Sequence, residues 1–323
     1  MKLKAVYTDT DDLDPSTGIA QLEAANFRVV RLETHNESEI LESAYDAHAL
    51  LVGYAPIGES LLAQLPNLEI MSMLSTGFDN VDLDAANSRG ICIATVGGTP
   101  AEEVATHALA LLLSIIRGLN PYQRAGVKGE WFKTPYPHIP LRLSERTLGI
   151  VGFGRIGRRF AAMALPLFGE VLFYDPLIPA NQLVDGIKSA SFHEVIEKSD
   201  VISIHLPLNE STFHLFNEEI LARTKKGLYL INVSRGAVID SLALMQAIDS
   251  GHIAAAALDV LEHEPPKTDD PMLGHDRIVI TPHVGYLSDY TLKAYIDVQA
   301  QNVIDWFAGK EMDNAVSEMR IKK

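Results

Sequence analysis

The sequence predicts an α/β protein built from two doubly wound parallel-sheet domains. Length is the first reason: 323 residues, at roughly 150 per domain, exceed what one core requires. Pattern is the second. Short apolar runs alternate with stretches of helical period and close on Gly, Pro, Asp or Asn, which is the mark of βαβ units. The third is that this series occurs twice, with a long apolar helix between the two occurrences.

In the first series the expected strands are Leu3 to Tyr7, Arg28 to Leu32, Leu50 to Val52, Ile70 to Leu74 and Ile91 to Thr95, with helices such as Ser38 to Tyr45 and Ser60 to Leu65 between them. The run AEEVATHALALLLSIIRGLN follows. Its apolar positions cover most of a helix, and a helix that apolar on all sides is expected to be buried, in part against another subunit. The stretch from Pro121 to Leu143, with Trp131, Phe132 and several prolines, is expected to be extended and to pack outside its own domain. The second series comprises TLGIVGFG, EVLFYD, DVISIHLP, GLYLINVS, IAAAALDV and RIVITPH, beginning at Thr147. A final helical pattern, Ser288 to Phe307, is too little for a domain and is expected to return to the first one.

Composition narrows the function. Hydrophobic residues are 47% and charged residues 21%, the balance of a globular chain rather than a disordered one. A net charge of −15 repels polyphosphate and anionic lipid, so nucleic-acid and membrane partners are not expected. The one cysteine, Cys92, lies in an apolar strand and is expected to be a buried thiol. No early apolar run has the length of a signal peptide or membrane span, and a cytoplasmic location is expected.

Gly152, Gly154 and Gly157 form G-x-G-x-x-G between the strand ending at Val151 and a helix expected from Arg155 to Leu167. The first glycine permits a tight turn, the second lets backbone approach a pyrophosphate, and the third lets helix lie close on strand. Amides at the helix start then supply the positive potential that the overall charge lacks. Asp175, about 18 residues past the last glycine, closes the next strand, where an acid binds ribose hydroxyls and repels a 2′-phosphate. The cofactor expected is therefore NAD.

Arg235, Glu264 and His283 follow three later strands of the second series, and strand carboxyl ends face the ligand crevice of a doubly wound sheet. Singly they also read as a surface cation, a turn acid and a packed imidazole. Together, a guanidinium can grip a carboxylate and an imidazole beside a carboxylate can donate a proton. With a nicotinamide nearby, these groups point to hydride transfer to a 2-oxo acid. No nucleophile motif or metal-ligand spacing competes.

The motifs STGFDNVDLDAA (75–86), EEVATHALALLL (102–113), LGIVGFGRIGR (148–158), HLPLNEST (205–212), INVSRGAVID (231–240), AALDVLEHEPP (256–266) and TPHVGY (281–286), in this order, resemble the D-isomer-specific 2-hydroxyacid dehydrogenases over nearly the whole chain. The resemblance implies a Rossmann NAD-binding domain, 101–286, inserted into a flavodoxin-like substrate domain of 1–100 and 287–323. It implies catalytic roles for Arg235, Glu264 and His283. It also implies substrate contacts at Ser75, Thr76, Gly77 and Arg235, with Tyr54 as a wall. The implied cofactor site is lined by Val104, Gly152, Gly154, Arg155, Ile156, Gly157, Asp175, His205, Pro207, Thr212, Val233, Ser234, Asp259, His283 and Gly285. Relatives dimerise through the helix from about 101 and the segment after it, so a homodimer through the cofactor domains is implied.

Thr106 and Asn209 depart from residues common in the family. Thr106 is expected to alter packing rather than chemistry. Gly53 to Ile57, expected to face substrate, carries no charge, which favours a small or apolar 2-oxo acid over a phosphorylated one. The expected products are D-2-hydroxy acids of the glyoxylate, hydroxypyruvate or lactate type. The alternatives are a phosphoglycerate dehydrogenase without a regulatory domain, and an NAD(H)-sensing corepressor-like binding protein.

Overall fold

A computed structural model of the chain describes residues 2–10, 13–131 and 138–322. The chain divides into two compact units, 1–100 with 287–323, and 101–286.

Unit 1 begins with β1 (Leu3–Tyr7), α1 (Ser16–Ala24), β2 (Phe27–Arg31), α2 (Glu37–Ala44), β3 (Ala49–Val52), α3 (Glu59–Ala63), β4 (Ile70–Met73), α4 (Leu83–Ser88) and β5 (Cys92–Ala94). The strands pair in parallel in the order β2-β1-β3-β4-β5. This is the flavodoxin-like arrangement, whose switch point lies between β1 and β3. Strands β3, β4 and β5 are buried at every residue, which explains why they read as unbroken apolar runs rather than alternating ones. Helix starts are fixed locally: Asn36 accepts from the amides of Ser38 and Glu39 at α2, and Asp82 from that of Ala85 at α4.

Unit 2 opens with α5 (Ala101–Arg117) and α6 (Leu119–Val127). It continues through β6 (Thr147–Val151), α7 (Arg155–Ala164), β7 (Glu170–Tyr174), β8 (Leu183–Val184), β9 (Ile187–Ser189), α8 (Phe192–Lys198), β10 (Val201–Ile204), α9 (Glu218–Ala222), β11 (Leu228–Asn232), α10 (Ser241–Asp249), β12 (Ile253–Leu258) and β13 (Ile278–Ile280). The sheet order is β13-β12-β11-β10-β6-β7-β9-β8, all parallel except the β8–β9 pair. Counted from β6, this is the Rossmann order with its switch point between β6 and β10.

Two expectations need correction here. Helix α5 is not apolar on all sides: Glu102, Thr106 and Ala110 are exposed, while Val104, Ala108, Leu111, Leu112 and Ile115 pack into the core of unit 2 itself. The stretch from Pro121 is not extended at its start, because α6 runs through it to Val127. Proline is tolerated there because it falls in the first turn, whose N–H groups have no intrahelical acceptor. Phe132 and 133–137 lie outside the described residues.

The chain returns to unit 1 with α11 (Thr291–Phe307). Buried amides sew it to the strand ends: Gln299 Nε2 donates to the carbonyls of Val52 (3.2 Å) and Ser72 (2.9 Å), and Asn302 Nδ2 to that of Thr95 (3.0 Å). Beyond α11, Ala315 bridges Ala94 antiparallel and the Val316 amide donates to Ile93 O at 2.9 Å. The edge of β5 is thereby covered. Cys92 is buried beneath this cover, and burial pushes its thiol pKa up to about 11.

Candidate active site

The glycine turn stands where β6 meets α7. Gly152 has φ +97°, a conformation that L side chains rarely adopt, and a Cβ on it would lie 2.5 Å from His205 O at the end of β10. A Cβ on Gly157 would lie 2.2 Å from Gly152 O, so the helix can approach the turn only without a side chain there. Gly154 is different: it is exposed and a Cβ on it would meet nothing within 4 Å. That open space, beside a helix start with no side-chain cap, suits the close approach of a phosphate to backbone amides. Arg155 is exposed, and Ile156 is half-buried.

Asp175 sits at the end of β7. Its carboxylate accepts from the amides of Phe153 (2.8 Å) and Leu177 (2.9 Å), which aim it at the turn and leave acceptor capacity for a diol. His205 lies across the switch point, its Nε2 2.9 Å from Ser203 Oγ and its ring tilted against Phe160. Burial pushes its pKa down to about 3, so the imidazole beside the turn is neutral. The Thr212 hydroxyl donates to Pro207 O (2.7 Å) and accepts from the Asn209 amide (2.8 Å), closing the loop after β10. A turn, an uncapped helix start and a held acid fit NAD.

Arg235, Glu264 and His283 all lie in unit 2, beyond β11, β12 and β13. The Arg235 loop is shaped by Asn232, whose Nδ2 donates to Arg235 O (2.9 Å) while its Oδ1 accepts from the amide and hydroxyl of Ser234 (3.0 and 2.8 Å). His283 Nδ1 lies 2.6 Å from Glu264 Oε2, and Glu264 Oε1 accepts from the Leu261 amide at 2.7 Å. Burial alone would raise the Glu264 pKa, but the bonds from His283 and Leu261 and the charges of His283 and Arg235 hold it below the usual carboxylate range. Glu264 is thus ionised at neutral pH and orients the ring through Nδ1, leaving Nε2 as the nitrogen that can face a substrate. His283 has φ +53°, uncommon for a residue with a side chain and a mark of functional segments.

Sequence reasoning placed Asp259 near the cofactor but missed what it holds. Thr281 Oγ1 donates to its Oδ1 (2.6 Å), as does the Val284 amide (3.0 Å), while the Gly285 amide donates to Oδ2 (2.8 Å). His107 Nε2 on α5 is 2.9 Å from Thr281 Oγ1 and 3.2 Å from Asp259 Oδ1. Because the Thr281 proton goes to Asp259, His107 Nε2 is the donor in this cluster. Burial opposes ionisation of Asp259, yet these bonds lower its pKa. The loop carrying His283 is therefore pinned from both sides. Val104 and Val233 are buried near this end of the unit, and Thr106 is exposed with its hydroxyl 3.9 Å from Met163 Sδ.

Unit 1 carries the remaining predicted residues. Tyr54 follows β3 and is 48% exposed. Ser75, Thr76 and Gly77 follow β4, where Ser75 Oγ donates to Gly77 O (2.5 Å) and Thr76 Oγ1 to Gly97 O (3.1 Å). Among the described residues, no group of three or more His, Cys, Asp and Glu could hold a metal ion. No single described helix is long and apolar enough to cross a membrane, although α5 and α6 pass that test as a pair bent by 59°.

This fold and turn define a dinucleotide-binding α/β protein. Comparison with known proteins agrees: residues 109–285 match the family model described as "D-isomer specific 2-hydroxyacid dehydrogenase, NAD binding domain". The chain is 34% identical over 287 residues to a glyoxylate reductase of Korarchaeum cryptofilum, covering 88% of this chain and 86% of that one. It is 36% identical over 275 residues to a D-3-phosphoglycerate dehydrogenase of Bacillus subtilis, covering 84% of this chain and 51% of that one, so it spans about half of that relative's length. A solved glyoxylate reductase from Paecilomyes thermophila superimposes with a TM-score of 0.89 at 27% identity, covering 99% of each chain. The chain belongs to the D-isomer-specific 2-hydroxyacid dehydrogenases, oxidoreductases that act on a CH–OH group with NAD.

Proposed function

We propose that the protein reduces a small or apolar 2-oxo acid to the D-2-hydroxy acid, with 101–286 as the cofactor domain and 1–100 with 287–323 as the substrate domain. The observation that carries this reading is the 2.6 Å contact between Glu264 and His283 on the unit that also holds the glycine turn. NADH, when bound along Gly152 to Gly157, supplies the hydride. Arg235 holds the substrate carboxylate and polarises its carbonyl. His283 gives a proton from Nε2 to the alkoxide oxygen, and Glu264 stabilises the imidazolium and fixes its orientation. Tyr54 bounds the substrate tail. Asp175 prefers NADH by occupying the place a 2′-phosphate would need.

Four exposed apolar residues on and after α6, Leu119, Val127, Trp131 and Ile139, favour a homodimer through the cofactor domains. A cavity of about 430 Å³ on the same unit is lined in part by Gly118, Arg124 and Lys128 from α6 and its two ends and by Tyr229 and Arg277 from the β11–β13 side of the sheet. The free, buried Cys92, which leaves the fold without a disulfide among the described residues, supports the reading of a cytoplasmic location. The test is loss of NADH absorbance with a panel of 2-oxo acids. Many turnovers per site with one or more of them support the reading; tight NADH binding without turnover on any favours a sensor. Activity confined to a phosphorylated 2-oxo acid favours a phosphoglycerate dehydrogenase.

A further inference from the structure

In unit 1 the chain leaves β1 and β3 toward opposite sides, so the crevice between their carboxyl ends is where a ligand would be expected in this sheet order. Clustered backbone N–H groups at such a place form an anion-binding concavity. Here the concavity is already filled. Asp9, two residues past β1 and only 4% exposed, accepts from the amides of Gly53 (3.1 Å), Tyr54 (2.6 Å) and Ala55 (3.3 Å) and from Thr8 Oγ1 (2.6 Å). A Cβ on Gly53 would lie 2.3 Å from Asp9 Oδ2, so this approach depends on glycine. The carbonyls of the same loop are taken as well: Asn80 Nδ2 donates to Gly53 O (3.3 Å) and Ala55 O (2.8 Å).

We propose that Asp9 is a built-in anion occupying the switch-point crevice of unit 1, and that it acts as a positioning residue restricting the loop after β3 to substrates with uncharged tails. The amides that could welcome a phosphate or second carboxylate are spent on Asp9, whose own charge repels another anion at short range. Glu33 adds a second carboxylate at this edge, bonded to Thr10 Oγ1 at 2.9 Å and paired with Arg31 at 2.7 Å. His35, on an exposed side chain, brings Nε2 to 3.3 Å from Asp9 Oδ2 and adds one more group held to that carboxylate. What the loop offers a substrate is then the Tyr54 side chain. This inference rests on the proposed reading that the loop after β3 faces the substrate.

Replacing Asp9 by glycine removes the elements of acetate, which sets the test. Asp9→Gly is expected to melt below wild type and to regain Tm saturably with sodium acetate beyond the effect of sodium chloride at equal ionic strength, whereas wild type and Asp9→Asn regain none. In wild type, kcat/KM for 2-oxobutyrate should exceed that for 2-oxoglutarate by at least about tenfold, a ratio that narrows in Asp9→Asn through KM while NADH affinity holds. A folded Asp9→Gly indifferent to acetate overturns the proposal, as does equal use of the two acids by wild type or an unchanged ratio in Asp9→Asn. If no 2-oxo acid is turned over, the reading of the reaction fails, while the acetate response still decides whether Asp9 is a built-in anion.

Discussion

Glu264 Oε2 and His283 Nδ1 lie 2.6 Å apart although 19 residues separate them, and the contact ties the loop after β12 to the loop after β13. A carboxylate with one oxygen on an imidazole and the other on a backbone amide has little freedom to turn. It sets which ring nitrogen remains for substrate.

That pairing gives a pH signature. Glu264 has its pKa lowered in the folded protein, so it stays ionised through the neutral range and contributes no limb of its own there. Its hold on His283 is present above the ordinary carboxylate value of 4.5 and is lost as pH falls through the lowered folded value, so kcat/KM should fall on the acid side. Glu264→Gln, which has no carboxyl proton to gain, should lower kcat/KM at neutral pH and lose that acid fall. An acid fall unchanged in the variant would remove Glu264 from that role.

Arg235→Ala should lower kcat/KM on the order of 10²–10³-fold, the usual loss for a donor that acts on developing charge. NADH affinity, measured by fluorescence titration, should change little. Activity within a few-fold of wild type would take Arg235 out of the mechanism.

Asp175→Ala is expected to narrow the preference for NADH over NADPH, read as the ratio of kcat/KM values. The acid sits at the end of β7 with two amides fixing it toward the glycine turn. An unchanged ratio would leave Asp175 as a turn residue only.

The Asp259 cluster should matter to both stability and rate. Asp259→Ala strands the amides of Val284 and Gly285 and the Thr281 hydroxyl, at a cost of about 3 kcal/mol in chemical denaturation. Because its folded pKa is depressed, the wild-type contribution is present above the ordinary carboxylate value of 3.8 and is lost as pH falls through the folded value. His107→Leu should slow turnover more than His107→Gln, which keeps a donor for Thr281. Equal rates in the two variants would show that His107 only fills space.

Much of this was legible in the sequence because it is local. The strand runs, the glycine spacing and Asp175 each depend on residues within one βαβ unit, where period and turn chemistry are written in order. The β8–β9 hairpin was also legible in principle: Asp185 and Gly186 have φ +54° and +80°, the two positive values that an Asp-Gly turn supplies. Asp9, Asn80 and His107 were not. Asp9 meets a loop more than 40 residues away, and His107 meets Thr281 174 residues away. Nothing in their local pattern distinguishes them from ordinary strand-end and helix residues. Their roles come from the parallel sheets, which gather the ends of strands remote in sequence.

The most direct test of the central claim is a structure with NADH and an unreactive 2-oxo acid analogue. The analogue's carboxylate should lie on the Arg235 guanidinium and its carbonyl oxygen, or the atom replacing it, within hydrogen-bond distance of His283 Nε2. An analogue bound with its carboxylate away from Arg235, or with His283 turned from it while NADH occupies the glycine turn, would contradict it.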